Sequence, residues 1–192
     1  MIAAIHQPNF LPWLGYFRKL AKADHFVFLD TVPFSKGSYT NRVRVRRPEE
    51  PAWLTVPVAT AGKLGQPITD VQCSTHVDWR SRIRGGLQAS YQSAPHYQPY
   101  ADEIADILTT AGDMLSEVNV RLIAYLAERL GIETPTVRSS ELPAEGASTE
   151  LLIGLCRHLG ATAYLSGSGG RSYQDESAFV AAGIEVRYLD HP

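Results

Sequence analysis

The stretch MIAAIHQPNFLPWLGYFRKLAKADHFVFLD, residues 1–30, decides the fold. Residues 2–5 and 25–29 are two short apolar runs, a pattern typical of buried strands. Between them, residues 11–23 carry apolar side chains at helical spacing, and Pro12 suits the first turn of a helix, where its missing N–H costs nothing. A strand, a helix and a strand in this order predict a βαβ unit with two parallel strands. The inner face of its helix is predicted to carry Leu14, Phe17, Leu20 and Ala21.

The rest of the chain continues the alternation around a helical middle. Residues 76–130 have helical spacing, and the clearest helix, 114–130, ends at Gly131. Further helices are predicted at 148–158, capped by Ser148 or Thr149, and at 176–182. Further strands are predicted at 41–45, 53–58, 68–73, 136–137, 161–165 and 184–189. We therefore predict one α/β domain over 1–192 with a helical insertion at roughly 76–131. Its mostly parallel sheet of about five strands is flanked by helices, as in Rossmann-like and nucleotidyltransferase-like folds.

Composition excludes several classes of protein. Apolar residues make up 44% and charged residues 20% of the chain, as in ordinary globular proteins, so disorder is not expected. The formal net charge of -2 gives no reason to expect nucleic acid. The six dispersed histidines predict no metal site, and Cys73 and Cys156 lack metal-like spacing and are expected to be buried. Without a signal peptide pattern or an apolar run of about 18 residues, we expect a cytoplasmic protein that does not cross a membrane.

Polar or glycine-rich loops follow three of the predicted strands. The strands end at His6, Asp30 and Ser166. In open parallel sheets, ligands bind beyond the carboxyl ends of the strands. We therefore expect the three loops to converge on one edge and to form the functional site.

The first loop, His6–Tyr16, reads HQPNFLPWLGY. Its two prolines fix its path, and it combines neutral polar groups with flat aromatic ones. Such a set suits a pocket that orients a polar small molecule. Its candidate substrate-binding residues are Gln7, Asn9, Trp13 and Tyr16. A structural turn is the alternative, and for Trp13 alone core packing is the favoured interpretation.

The second segment, Asp30–Arg42, reads DTVPFSKGSYTNR. Arg42 could clamp a carboxylate or phosphate through paired hydrogen bonds, and Lys36 could neutralise developing charge. Asp30 or His6 could act as general base. Tyr39 and Asn41 are candidate substrate-binding residues, and a solvated loop with an Arg–Asp pair is the alternative. The arginines at 42, 44, 46 and 47 alternate with valines, which favours a strand with one charged face over an anion site.

The third segment, SGSGGRSYQD at 166–175, is rich in glycine. Glycines let backbone N–H groups approach an anion closely. The spacing matches neither the dinucleotide nor the Walker pattern, and the chain has no GxSxG elbow. The candidates here are Ser166, Gly167, Arg171 and Tyr173, with a flexible surface loop as the alternative.

Taken together, several blocks resemble the WbqC-like family, and they follow that family's order. They are HQPNFLPWLGYF, FLDTVPFSKGSYTNRVRV, WLTVPV, LGI, TELLIGLCRHLGA and YLSGSGGRSY. The chain departs from the pattern at Thr31, Pro33 and Gly37, and many relatives continue past its last residues. The resemblance implies a role in O-antigen or natural-product biosynthesis, by glycine transfer or amide formation. A second resemblance, to nucleotidyltransferases of the HIGH type, is one of fold alone.

The resemblance and the loops together suggest a transferase that joins an amine to an acyl or carbonyl donor. In that hypothesis His6 or Asp30 accepts a proton, Lys36, Arg42 and Arg171 stabilise negative charge, and the amides orient substrate. Its partners are small molecules, and aminoacyl-tRNA is the one nucleic acid considered, as a donor. A nucleotide-dependent enzyme, with a nucleotide as its cofactor, and a non-catalytic partner protein are the alternatives. The oligomeric state is left open.

Overall fold

A computed structural model describes residues 1–172 and 174–189. Seven strands and six α-helices form its regular structure. The strands are β1 Ile2–His6, β2 His25–Phe28, β3 Arg42–Val45, β4 Ala52–Thr55, β5 Thr136–Arg138, β6 Ala163–Gly167 and β7 Glu185–Leu189. The helices are α1 Leu14–Ala21, α2 Trp79–Tyr91, α3 Tyr97–Thr110, α4 Leu115–Arg129, α5 Ser148–His158 and α6 Glu176–Ala181.

The chain divides into two compact units. The sheet unit comprises Met1–Gln7, Trp13–Thr31 and Ala127–Pro192, and the hairpin unit comprises Pro8–Pro12 and Val32–Leu126. The one-domain organisation of residues 1–192 stays a prediction. The predicted helical region contains α2, α3 and α4, all within residues 76–131.

The sheet unit contains a five-stranded sheet in the order β5-β2-β1-β6-β7, and every neighbouring pair is parallel. This confirms the predicted α/β class. From β1 the chain adds β2 and β5 on one side, whereas β6 and β7 lie on the other. The order therefore reverses between β1 and β6, and such a switch point is where open parallel sheets bind their ligands.

The first thirty residues form the predicted βαβ unit with a shorter helix. The predicted start at residue 11 is wrong, because Leu11 adopts a left-handed φ of 43°, which a right-handed helix excludes. Helix α1 begins at Leu14 and buries Tyr16, Phe17, Lys19 and Leu20. Leu14 and Ala21 are exposed, so their predicted place on the inner face is also wrong.

The hairpin unit pairs β3 and β4 antiparallel and buries one face of the pair. Val45 and Leu54 belong to an apolar core with residues of α2, α3 and α4, and Arg44 lies on the exposed face. The prediction of a strand with one charged face is confirmed for Arg42 and Arg44, whereas Arg46 and Arg47 follow the end of β3. Gly86 of α2 is required by this packing, since a Cβ there would lie 2.3 Å from Leu54 Cδ2.

Other boundaries follow local backbone conformation. Residues 68–73 do not form a strand. They form a 3-10 turn, Ile68–Asp70, followed by isolated bridges, and the buried Ile68 and Val71 lie three residues apart, as such a turn requires.

Ser148 and Thr149 do not cap α5, whose cap residue is Ala147. The Thr149 hydroxyl instead accepts from the Asp175 N–H. Gly131, with a φ of 67°, ends α4 as predicted. Cys73 and Cys156 are buried as expected, and no helix in the described residues is long and apolar enough to span a membrane.

Candidate functional site

Four predicted site residues lie at the carboxyl edge of the sheet in the sheet unit. His6 ends β1, Ser166 and Gly167 end β6, and Asp30 follows β2. The parallel register places Ala4 beside Leu165, so the ends of β1 and β6 come level at the switch point.

His6 is held in one tautomer and kept neutral. Its Nδ1 lies 3.1 Å from the Gln7 carbonyl oxygen. Because a carbonyl only accepts hydrogen bonds, Nδ1 carries the proton and Nε2 keeps its lone pair. Burial, together with the positive charge of Lys19, lowers the pKa of His6 to about 3, against a smaller opposing effect of the hydrogen bond to Gln7. The imidazole is therefore an uncharged acceptor at neutral pH.

Two aromatic rings from the start of α1 flank the imidazole. The centroids of Trp13 and Tyr16 lie 5.9 and 4.8 Å from that of His6, in edge-to-face geometry. Trp13 is 45% exposed, so the interpretation of core packing is wrong. The Tyr16 ring is buried, and its hydroxyl donates to the Gln7 carbonyl at 3.1 Å. Tyr16 thus holds the loop, while Trp13 offers an aromatic surface to solvent.

Lys19 is a buried residue that sequence reasoning missed. It lies on the inner face of α1, and its Nζ donates to the Ile5 carbonyl at 2.7 Å. It is 4% exposed, and no carboxylate in the described part of the chain lies within 4.0 Å of it. Desolvation lowers its pKa to about 7. Its position three residues after Tyr16 places it on the buried side of α1, but this spacing alone does not distinguish a buried lysine from one that extends to solvent.

Asp30 is fully buried, and its carboxylate is engaged by two serines. Oδ1 accepts from the Ser139 hydroxyl at 2.9 Å and the Ser140 N–H at 3.0 Å, and Oδ2 accepts from the Ser140 hydroxyl at 3.0 Å. The Ser139 Oγ in turn accepts from the backbone N–H groups of Asp30 and Thr31. Both oxygens of this carboxylate accept hydrogen bonds, and these bonds connect the end of β2 to the residues that follow β5. The geometry favours a positioning role over the predicted role of general base.

The glycine-rich segment forms a tight turn after β6. Ser166 is buried, and its hydroxyl donates to the Gly167 carbonyl at 3.1 Å. Residues Ser168–Ser172 form a 3-10 helix, and a Cβ on Gly170 would lie 2.2 Å from Ser166 Oγ. The Arg171 guanidinium packs over the Tyr188 ring at 4.4 Å. The predicted site residue Tyr173 lies outside the described residues.

The other predicted site residues belong to the hairpin unit. Asn9 is buried, whereas Lys36 and Tyr39 are exposed. Asn41 is also buried, and its side chain accepts from the Gly37 N–H and donates to the Val56 carbonyl. That arrangement shapes the loop before β3, where Gly37 has a φ of 76°. Both bonds serve the protein, so Asn41 is better suited to building the loop than to orienting a substrate.

Arg42 stacks on an aromatic ring that the sequence argument did not include. Its Cζ lies 4.1 Å from the centroid of Trp53, across the β3–β4 pair. Its Nε is buried and has no hydrogen-bond partner within the described residues.

Asn119 is a further buried polar residue that was missed from the sequence, and its Nδ2 donates to the carbonyls of Pro8 and Thr40. These two hydrogen bonds hold the segments around Pro8 and Thr40 against α4 within the hairpin unit.

Comparison with known proteins finds a family and one relative. Residues 7–192 match the profile of a family described as the WbqC-like protein family. An uncharacterized protein of Mycobacterium tuberculosis, Rv1507c, is 34% identical to this chain over 189 residues, which cover 98% of this chain and 81% of that protein. No solved structure matches the chain.

Proposed function

The chain belongs to the WbqC-like protein family, and from that premise we propose that it is an enzyme that joins an amine to an acyl or carbonyl donor. The observation that carries the proposal is the neutral His6 at the switch point. With Nδ1–H bonded to the Gln7 carbonyl, Nε2 is left as an acceptor for an amine N–H. A neutral imidazole orients such an amine without repelling its positively charged form.

In the proposed reaction, the amine nitrogen forms a bond to the carbonyl carbon of an ester or thioester. The carbon–oxygen or carbon–sulfur bond then breaks, and the proton lost by nitrogen passes through His6 Nε2 to the leaving group. Because its pKa is about 3, His6 is a weak base: it takes the proton only from the ammonium formed after the amine has added to the carbonyl carbon, and it passes that proton on at once to the leaving group. Arg171 and the backbone N–H groups of the glycine-rich turn supply the positive potential for the carbonyl oxygen.

Trp13 supports the proposal as a recognition residue. It is exposed beside His6, and its ring offers a flat apolar surface next to a polar acceptor. Small-molecule sites combine apolar walls with a few fixed polar groups in this way. Asp30 and Tyr16 act through the positions they impose on the loops rather than through contact with substrate.

The test is amide formation by purified protein. The donors are glycyl and acetyl thioesters of N-acetylcysteamine, the acceptors are a panel of amino sugars and amino acids, and mass spectrometry detects the new amide. His6→Gln should lower the rate by about 100-fold or more, the usual contribution of a proton-transferring residue. His158→Gln, an exposed histidine of α5, is the matched control and should keep the full rate. An unchanged rate in folded His6→Gln would overturn the role of His6, and a failure of all donors would overturn the reaction class.

A nucleotide-dependent enzyme is the second candidate, and the position of His6 favours it. Nucleotides bind open parallel sheets at switch points like that between β1 and β6. Heat stabilisation by ATP or CTP with magnesium, lost in His6→Gln, would favour this candidate, because a ligand that binds only the folded state raises its apparent stability. Stabilisation by an amine or thioester alone would favour acyl transfer.

A further inference from the structure

An aromatic and cationic surface covers the outward side of the β3–β4 pair in the hairpin unit. We call Tyr39, Arg42, Arg44 and Trp53 the hairpin face. The Trp53 ring centroid lies 4.1 Å from Arg42 Cζ, 5.7 Å from Arg44 Cζ and 5.6 Å from the Tyr39 ring. Trp53 is 41% exposed and Tyr39 47% exposed. At such exposure part of each ring lies outside the core and can contact a ligand.

The strand geometry explains why these groups share one face. Residue pairs Arg42–Thr55 and Arg44–Trp53 lie opposite each other across the two strands, and Val43 and Val45 point the other way, toward the core. Alternate residues on a strand lie about 7 Å apart along it. The two guanidinium groups therefore form a short row of positive charge with Trp53 beside it.

The charge on this face is not neutralised within the described residues. Neither Arg42 nor Arg44 has a carboxylate within 4.0 Å there, and the buried Nε of Arg42 has no hydrogen-bond partner. A guanidinium that stacks on an aromatic ring can still donate from its terminal N–H groups to oxygen atoms of phosphate. Both guanidinium groups lie close to the same Trp53 ring, 4.1 and 5.7 Å from its centroid, so an anion bound beside that ring would be attracted by both charges.

We infer that the hairpin face binds single-stranded nucleic acid. Unpaired bases would stack on Trp53 and Tyr39, and consecutive phosphates would lie along Arg42 and Arg44. Exposed aromatic rings interleaved with arginines are what single strands require, because every base has a face to stack and every nucleotide carries a phosphate. The net charge of -2 does not oppose this, since binding depends on the local row of charge. The inference does not rest on the proposed amide-forming activity.

Fluorescence anisotropy of a short fluorescein-labelled single-stranded oligonucleotide tests the inference on the full chain. Trp53→Ala should weaken binding by about tenfold or more, and Trp53→Phe should recover most of the loss, because stacking survives. Arg44→Gln should weaken binding and lower the slope of log affinity against log salt by about 0.7. Arg84→Gln, an exposed arginine of α2, is the matched control and should bind as the wild type does.

Three outcomes would overturn the inference. The first is no binding by the wild-type chain at low ionic strength. The second is equal displacement of the oligonucleotide by inorganic pyrophosphate, which would reduce the face to an anion site. The third is saturation of the hairpin face by AMP at the same concentrations at which the oligonucleotide saturates it, which would make the face a site for free nucleotides. Because Trp53 is substantially exposed, its variants should fold, and circular dichroism of each variant verifies this.

Discussion

Lys19 donates a hydrogen bond to the carbonyl oxygen of Ile5 at 2.7 Å, one residue before His6. This contact brings a buried amine to the end of β1, where His6, the proposed proton acceptor, lies. Below a pH of about 7 the amine carries a charge, and that charge contributes to the low pKa of His6. The two residues are therefore electrostatically coupled, and a change at one should be measurable at the other.

Lys19→Met should raise the pKa of His6. Methionine keeps the length of the side chain and removes the positive charge, so the imidazolium form loses one of its two unfavourable contributions. The imidazole proton signals followed by NMR against pH measure this directly. Lys22→Met, an exposed lysine just after the same helix, is the control and should leave the His6 titration where it is. An unaltered His6 titration in Lys19→Met would contradict the coupling.

Acid should destabilise the fold through His6. Between pH 6.5 and its folded pKa of about 3, His6 is protonated in the unfolded chain and neutral in the folded one. The unfolded chain then binds more protons, so stability falls as pH falls through this window. From pH 6.5 to 4 the loss attributable to His6 is about 3 kcal/mol.

Urea unfolding at a series of pH values measures this dependence. His6→Gln should flatten the curve between pH 6.5 and 4, because glutamine does not titrate. His158→Gln should show the same slope of unfolding free energy against pH as the wild type, since this histidine is exposed on α5. A slope that is the same in wild type and His6→Gln would show that the folded imidazole titrates normally.

Asp30 and Ser139 should behave as a structural pair. Ser139→Ala removes a hydroxyl that serves both the buried Asp30 carboxylate and the backbone N–H groups of Asp30 and Thr31, so each of these groups loses one hydrogen-bond partner. The expected cost is about 1–3 kcal/mol, as for other unsatisfied buried groups. Urea unfolding measures the cost. Ser177→Ala removes a similar serine–aspartate bond at an exposed position and should cost less.

Asp30→Asn separates this positioning role from catalysis. The amide retains the shape of the side chain but lacks one of the acceptor oxygens used by Ser139 and Ser140, so stability should fall. If Asp30 were instead the general base, the rate of amide formation would collapse while the free energy of unfolding stayed near that of the wild type.

The fold was largely predictable because its signals are local. Continuous apolar runs, alternating patterns and helical stripes are properties of neighbouring residues, and they located the parallel strands and α4. The errors occur where the backbone departs from regular geometry. Leu11 takes a left-handed φ that periodicity does not encode, and Ser148 takes one of 51° at the start of α5.

The candidate site was predictable in position but not in its partners. Strand ends located His6, Asp30 and Ser166, since the carboxyl ends of parallel strands share one edge. The partner of Asp30, Ser139, lies 109 residues away along the chain, and no local pattern joins the two. Whether Lys19 turns inward depends equally on tertiary packing, because a lysine among apolar positions can also extend to solvent.

Gly170 and Gly169 offer a test of the glycine-rich turn at adjacent positions. A Cβ on Gly170 would lie 2.2 Å from Ser166 Oγ and 2.8 Å from the Gln174 amide, whereas one on Gly169 meets nothing within 4 Å. Gly170→Ala should therefore force Ser166 or the turn to move and destabilise the protein by about 1–3 kcal/mol. Gly169→Ala should be nearly neutral, and thermal or urea unfolding distinguishes the two.

A double variant identifies the clash. Ser166→Ala removes the oxygen nearest to the added methyl group and leaves only the flexible end of Gln174 in its way. Gly170→Ala should then cost less in the Ser166→Ala background than in the wild type, with a coupling of about 0.5–3 kcal/mol, as found for residues in contact. Equal costs in the two backgrounds would mean that the turn does not pack on Ser166, and the tight approach at the end of β6 would have to be abandoned.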